Sequence, residues 1–271
     1  MIYVRICKSG STSVSKLLAD KLIIIIMSEK VKILLIVPVF RRPEVTRICY
    51  QGIKLLEASA PEWCQITPLI VWSLKEDFLK IPPFWLNVYA PNKCLGLKMN
   101  VAVHYAAENL AFDYIMQLDS DGIIHPALLD IYHQYFQAQV PFFGCNRILF
   151  HNEPDGRTLD YTLMNSGVWV TGRAIHRDLI EQMGRELWYW DRESGVGVNM
   201  ENLIRERTGT DVRIIYTAEP LMIDIKGPDN VSKFEHLARN PRESREVFGA
   251  EREKLLKRFN IKPKAYANPE Q

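Results

Sequence analysis

From Val31 onward the chain alternates short apolar runs with longer stretches whose apolar residues recur at helical spacing. That alternation predicts an α/β domain: a mixed, mostly parallel, Rossmann-like sheet flanked by helices. The run 31-VKILLIVPVF-40 is nearly continuous aliphatic, which predicts a central strand covered on both faces. Pro43 suits the first position of a helix, and 43-PEVTRICYQGIKLLEAS-59 then carries apolar residues along one helical face. Strands are predicted at 66-ITPLIVWS-73 and 86-LNVYA-90, with 81-IPPF-84 as a loop between them. A helix over 96–110 leads into a strand over 113–118, and 126-PALLDIYHQYF-136 is helical again. Further on, the pattern predicts a strand over 142-FFGCNRILF-150, a turn at 152–158, a strand over 162–172 and a helix over 174–184. The aromatic loop 187-LWYWDRESGVGVN-199 precedes a helix over 200–208 and strands over 212–217 and 221–225. A charged amphipathic helix over 242–259 is expected to dock through Val247, Phe248, Leu255, Leu256 and Phe259.

Composition narrows the class without naming a reaction. The 271 residues are 47% hydrophobic and 24% charged, as in an ordinary soluble globular protein. A net charge of +2 does not by itself point to nucleic acid. Five scattered cysteines without a CxxC pair read as reduced thiols of a cytoplasmic protein. Residues 1–27 differ from the rest: Ser- and Lys-rich, then 22-LIIIIM-27, a run too short to span a bilayer. They read as an extension ahead of a natural start at Met27, with one domain over 28–235 and a helical tail over 236–271 packed on it.

The chemistry-bearing feature is 113-DYIMQLDSDGII-124, where an apolar strand runs into Asp119 and Asp121. Alternation along a strand starts these two on one face, and like charges so close require a cation between them. The C-terminal edge of an open α/β sheet is where such folds bind ligands. Carboxylate oxygens suit Mg²⁺ or Mn²⁺, ions that usually share their coordination with substrate phosphates. The same residues also fit the nucleophile motif of haloacid-dehalogenase-like phosphatases, with Asp119 phosphorylated and Asp121 as acid/base. Against that stand Ile123, where Thr or Val is expected, and the three predicted strands that precede a motif normally found on the first.

Four segments in order resemble nucleotide-sugar glycosyltransferases of the GT-A fold, nearest in layout to glycosyltransferase family 2. They are 37-VPVFRRPE-44, 96-GLKMNVAVHYAAENLAFDYIMQLDSD-121, 166-SGVWVTGRAI-175 and 199-NMENLIRERTG-209. The resemblance covers about Val31 to Phe234 and implies transfer of a sugar from a nucleotide-diphosphate sugar, UDP-sugar favoured, to a glycan, protein or other hydroxyl acceptor. It implies that Asp119 holds the ribose or a metal-bound water and Asp121 ligates the Mn²⁺ or Mg²⁺. Pro38, Phe40 and Arg41 would border the base, and Lys98 and Asn100 would face the diphosphate at a helix start. Arg42 reads as a solvated turn residue. The family's uracil-pairing Asp after the second strand is replaced by 73-SLKED-77, which leaves Glu76 or Asp77 for that role. The usual third ligand, a His, has no match in 222-MIDIKGPDNVS-232, so Asp224 takes its place and Lys226 is expected to hold a phosphate.

The family's acidic pair stands here as Glu201-Asn202, making Glu201 the first candidate for general base, with Asp191 and Glu193 next. Glu201 also reads as an i,i+4 partner of Arg205 on an exposed helix face. Trp188, Tyr189 and Trp190 suit either sugar stacking in a closing loop or core packing. Stereochemistry stays open, since the same stretch resembles an element of retaining transferases. No processive-synthase QxxRW signature occurs, which argues for a single transfer. The basic stretch 252-REKLLKRFNIKPK-264 leaves a nucleic-acid acceptor possible but not favoured, and a degenerate transferase that only binds is the non-enzymatic alternative.

Overall fold

The computed structural model describes residues 29–164, 167–191, 196–227, 230 and 233–262. The extension over 1–27 and Glu193 lie outside the described residues. Strand β1 (Val31–Pro38) lies between β2 (Cys64–Trp72) and β4 (Tyr114–Gln117), parallel to both, with β3 (Leu86–Tyr89) outside β2. Beyond β4 come β9 (Ala174–His176), β6 (Phe142–Cys145) and β10 (Arg213–Ile215). Only β9 runs against the others in this seven-stranded sheet. Alternation along β1 explains the layering. Ile33, Leu35 and Val37 pack with Cys49, Ile53 and Leu56 of α1 (Pro43–Ala58) and Leu128, Tyr132 and Phe136 of α4 (Ala127–Gln137). Leu34 and Ile36 pack the other way, with Met99, Val103 and Ala106 of α3 (Leu95–Asn109), Leu179 and Ile180 of α5 (Arg177–Gln182), and Met200 and Leu203 of α6 (Val196–Thr208). The short helix α2 (Lys75–Phe78) joins β2 to β3.

A second, five-stranded sheet runs β12 (Ser244–Glu246), β8 (Thr158–Thr162), β7 (Arg147–Asn152), β11 (Met222–Lys226), β5 (Gly122–Ile124). Its outer face buries Ile123, Leu149, Ile223 and Ile225 against Leu255, Leu256 and Phe259 of the tail helix α8 (Gly249–Arg258). A further short helix, α7 (Phe234–Ala238), precedes β12.

Several elements depart from the sequence pattern for identifiable reasons. The apolar run 142–150 is two strands in different sheets, broken at buried Asn146. The Asn146 side chain donates to the Leu163 carbonyl (3.0 Å), while its own carbonyl accepts from Leu163 N and Trp169 Nε1. No strand spans 162–172 among the described residues; Gly167 (φ 103°) and Gly172 (φ 80°) take left-handed backbone that a strand does not allow. The expected helix over 174–184 begins as a strand, and α5 starts after His176, whose side chain accepts from Asp178 N. The tail is not wholly helical: Ser244–Glu246 pairs with β8, which makes it part of the domain's second sheet. Phe248 is half exposed, so it adds little to the docking.

The aromatic loop is clamped rather than loose at its start. Trp188 is buried core. Asn100 donates from Nδ2 to the Trp188 carbonyl (2.7 Å) and accepts at Oδ1 from Leu187 N and Trp188 N (3.1 and 3.2 Å). A Cβ at Gly96 would come within 2.0 Å of the Tyr189 carbonyl oxygen, so only glycine lets the loop cross there. Asn100→Ala strands two buried N–H groups and a carbonyl and is expected to cost about 2–4 kcal/mol in urea unfolding. An unchanged midpoint would show that the loop is held elsewhere.

Candidate active site

Asp119 and Asp121 lie in the turn between β4 and β5, not on the strand itself. The turn is closed by Gly122 N donating to the Asp119 carbonyl (2.8 Å). A Cβ at Gly122 would meet Leu118 Cδ1 at 2.9 Å and Thr171 Oγ1 at 3.1 Å, so the tight packing requires a glycine. The pair therefore meets through this turn rather than through strand alternation. Strand β11 then pairs antiparallel with β5, setting Asp224 opposite Gly122, and Ile225 N donates to the Asp121 carbonyl (2.8 Å). As a result one carboxylate oxygen from each of Asp119, Asp121 and Asp224 lies within 4.8 Å of the others.

Three acids so close need compensation, and the chain supplies part of it. Lys226 Nζ donates to Asp224 Oδ2 at 2.7 Å, two residues along the same strand face. Burial alone would lower the Lys226 ammonium, but Asp224, Asp121 and Asp119 outweigh it and hold it above its ordinary value. Burial raises the Asp119 and Asp224 carboxyls, and the Asp121 charge raises both further. Asp121 Oδ2 accepts from the Asn230 amide and from Arg42 NH1 (2.8 Å), while Arg42 NH2 reaches Ser120 Oγ (2.9 Å). Arg42 is thus not a free turn residue. Asp224 Oδ1 is buried and has no hydrogen-bond partner. An orphaned carboxylate oxygen facing no donor, within an all-oxygen cluster, fits a hard divalent cation.

On the β1 side, Pro38 and Phe40 are partly covered and Arg41 is exposed, its guanidinium 5.0 Å from the Phe40 ring centre. Arg41 N donates to Asp77 Oδ2 (3.1 Å), and Arg41, Glu76 and Asp77 line an open cleft of about 420 Å³. The Lys98 ammonium is buried and donates to the Val39 carbonyl and to Ser73 Oγ (2.8 Å), tying the ends of β1 and β2 together. Burial lowers it to about 8, opposed by Asp77. The hydrogen bonds of Lys98 and Asn100 therefore go to the frame of the cleft.

Glu201 does not pair with Arg205. Its Oε1 accepts from Arg173 NH2 at 2.6 Å and from Val168 N at 3.3 Å. Arg173, absent from the sequence reading, is among the largest fully buried side chains and also donates to the carbonyls of Gly197 (3.0 Å) and Val168 (2.7 Å). Burial pulls its guanidinium below the ordinary value, opposed by Glu201 and Asp119, so Arg173 feels both acids. Its one sequence signal is a lone arginine inside 168-VWVTGRAI-175, where an apolar setting demands a partner. Asp191 is exposed at the end of the aromatic loop, beside exposed Trp190.

No family model matches this chain, and no curated protein does. Solved structures do. The structure of TarS from S. aureus superposes with a TM-score of 0.51 at 10% identity, covering 73% of this chain and 37% of that one. TarS 1–349 in complex with UDP gives a TM-score of 0.50 at 10% identity, covering 73% and 61%. The chain shares the fold of these structures, a mostly parallel sheet flanked by helices. This chain spans less than two thirds of the length of either neighbour.

The raised Asp119 carboxyl has a consequence for stability. A folded-state acid held above its unfolded value contributes stability below the unfolded range, near pH 4, and loses it as pH rises through the folded value. In metal-free buffer the parent should therefore lose stability relative to Asp119→Asn as pH climbs from 4 to 8. Parallel urea midpoints across that range would show an ordinary carboxylate. Arg173→Met should cost about 2–4 kcal/mol, because it leaves partly buried Glu201 and the carbonyls of Val168 and Gly197 without their donor.

Proposed function

We propose that this chain is a glycosyltransferase that takes a sugar from a nucleotide-diphosphate donor, UDP-sugar first, and places it once on a hydroxyl acceptor. The observation that carries the reading is the convergence of Asp119, Asp121 and Asp224 just past the C-terminal end of β4, next to a cleft lined by the segments that follow β1 and β2. That is where an open α/β sheet receives a nucleotide. Mn²⁺ or Mg²⁺ held by these three acids supplies Lewis-acid neutralisation of the departing diphosphate.

The chain's own groups do the rest. Phe40 and the Arg41 backbone border the base, with Asp77 or Glu76 placed to accept from it. Lys226 puts a fixed positive charge beside the acids, on the side where phosphate oxygens arrive. Glu201 is the base of choice: Arg173 occupies Oε1 and fixes the carboxylate in place, while Oε2 sits 3.1 Å from where a Gly167 Cβ would stand. In a direct displacement the acceptor hydroxyl gives its proton to Oε2. Its oxygen bonds to the anomeric carbon as the bond to the diphosphate breaks, with that electron pair leaving on the phosphate. Tyr189 and Trp190, both exposed, offer faces for a sugar at the acceptor side. The acceptor is a glycan, a protein or another hydroxyl compound, and the expected compartment is the cytoplasm. No helix among the described residues is long and apolar enough to cross a membrane. A phosphatase with Asp119 as nucleophile fits less well, because its motif belongs on a first strand and this pair follows the fourth.

Mn²⁺ with UDP should raise the melting temperature, and Asp121→Ala should remove the shift. Glu201→Gln should slow turnover about 10²–10⁴-fold while leaving UDP affinity nearly unchanged. Indifference to every nucleotide sugar in the thermal assay would overturn the reading.

A further inference from the structure

Arg42 is held at its position against local preference. Both Arg41 (φ 57°) and Arg42 (φ 55°) adopt left-handed backbone, which side-chain-bearing residues take rarely. Arg42 also occupies the N-cap of α1 with no capping hydrogen bond, so a cation stands at the positive end of a helix dipole. These costs are met by one set of contacts: the guanidinium fork on Asp121 Oδ2 and Ser120 Oγ.

The two cations of the cluster differ in kind. Lys226 is buried on β11 and tied to Asp224 of the same strand, two residues away. Arg42 hangs from a loop with its side chain 22% exposed, and it covers an oxygen of Asp121, one of the three acids that would ligate a metal. A guanidinium and a divalent ion repel each other on a shared carboxylate.

Resting on the metal-dependent reading above, we propose that Arg42 is an exchangeable counter-ion. It neutralises Asp121 while the donor is absent, gives that carboxylate up to the incoming cation, and then lies free beside the diphosphate. A guanidinium suits that second position, since its planar fork matches phosphate oxygens.

The test is a titration of Mn²⁺ alone, followed by the electron paramagnetic resonance signal of the free ion, with no nucleotide present. Arg42→Gln should bind Mn²⁺ about tenfold more tightly than the parent, the gain expected from removing one charge-assisted hydrogen-bond competitor. Arg42→Lys, which keeps the charge without the fork, should gain less. Asp121→Asn added to Arg42→Gln should erase the gain, placing it at this carboxylate. Equal or weaker binding by Arg42→Gln, or no binding by either protein, overturns the exchange. Parallel UDP binding keeps the two readings apart. UDP binding without a gain at Arg42→Gln removes the exchange and leaves the transferase reading standing. A gain in Mn²⁺ affinity without nucleotide binding does the reverse.

Discussion

Three carboxylates with oxygens inside 4.8 Å of one another do not share one largely buried site unless positive charge is brought to them. Much of the architecture around the end of β4 answers that requirement. The β5–β11 pairing that delivers Asp224 delivers Lys226 with it, one pleat further along the same face. The loop after β1 bends through two left-handed residues to place Arg42 over Asp121. Asn230 adds an amide from the segment after β11. Even so, Asp224 Oδ1 remains without a donor. The compensation is incomplete in the direction that a divalent ion would complete.

A second charge pair sits behind the first. Arg173 is fully buried, and its partners come from the β8–β9 loop and from α6, so it fastens both to the sheet. Such a buried ion pair is weak support for stability, since desolvation offsets most of the attraction. What it supplies is placement. Glu201 is held at one oxygen by a guanidinium that also feels Asp119, which couples the proposed base to the metal-side acids through a single side chain. A Cβ at Gly167 would stand 3.1 Å from Glu201 Oε2, so the left-handed glycine there keeps the backbone close to the carboxylate.

The parts legible in the sequence were those governed by periodicity. β1 as a central strand, α1 behind Pro43, and the acids following β4 all come from patterns within one segment, and the structure has them in place. The parts that were not legible depend on partners far along the chain. The run 142–150 looks like one strand because both halves are buried; only tertiary pairing assigns Phe142–Cys145 and Arg147–Asn152 to different sheets. Arg42 reads as solvated because nothing local signals left-handed backbone in an arginine before a proline. The proximity of Asp119 and Asp121 was expected for the wrong reason: alternation would align them on a strand, whereas a turn closed at Gly122 brings them together.

Lys98 and Asn100 each make their hydrogen bonds within the protein. Both stand where the resemblance places diphosphate-facing residues, yet Lys98 ties β1 to β2 and Asn100 clamps the loop at Trp188. Burial draws the Lys98 ammonium down to about 8, opposed by Asp77. The charge it would have contributed is available instead from Lys226 and Arg42, which reach the acids from strands on the opposite side of the turn and from the β1 loop. The cations at this sheet edge thus divide between the acids, held by Lys226 and Arg42, and the strand ends, held by Lys98.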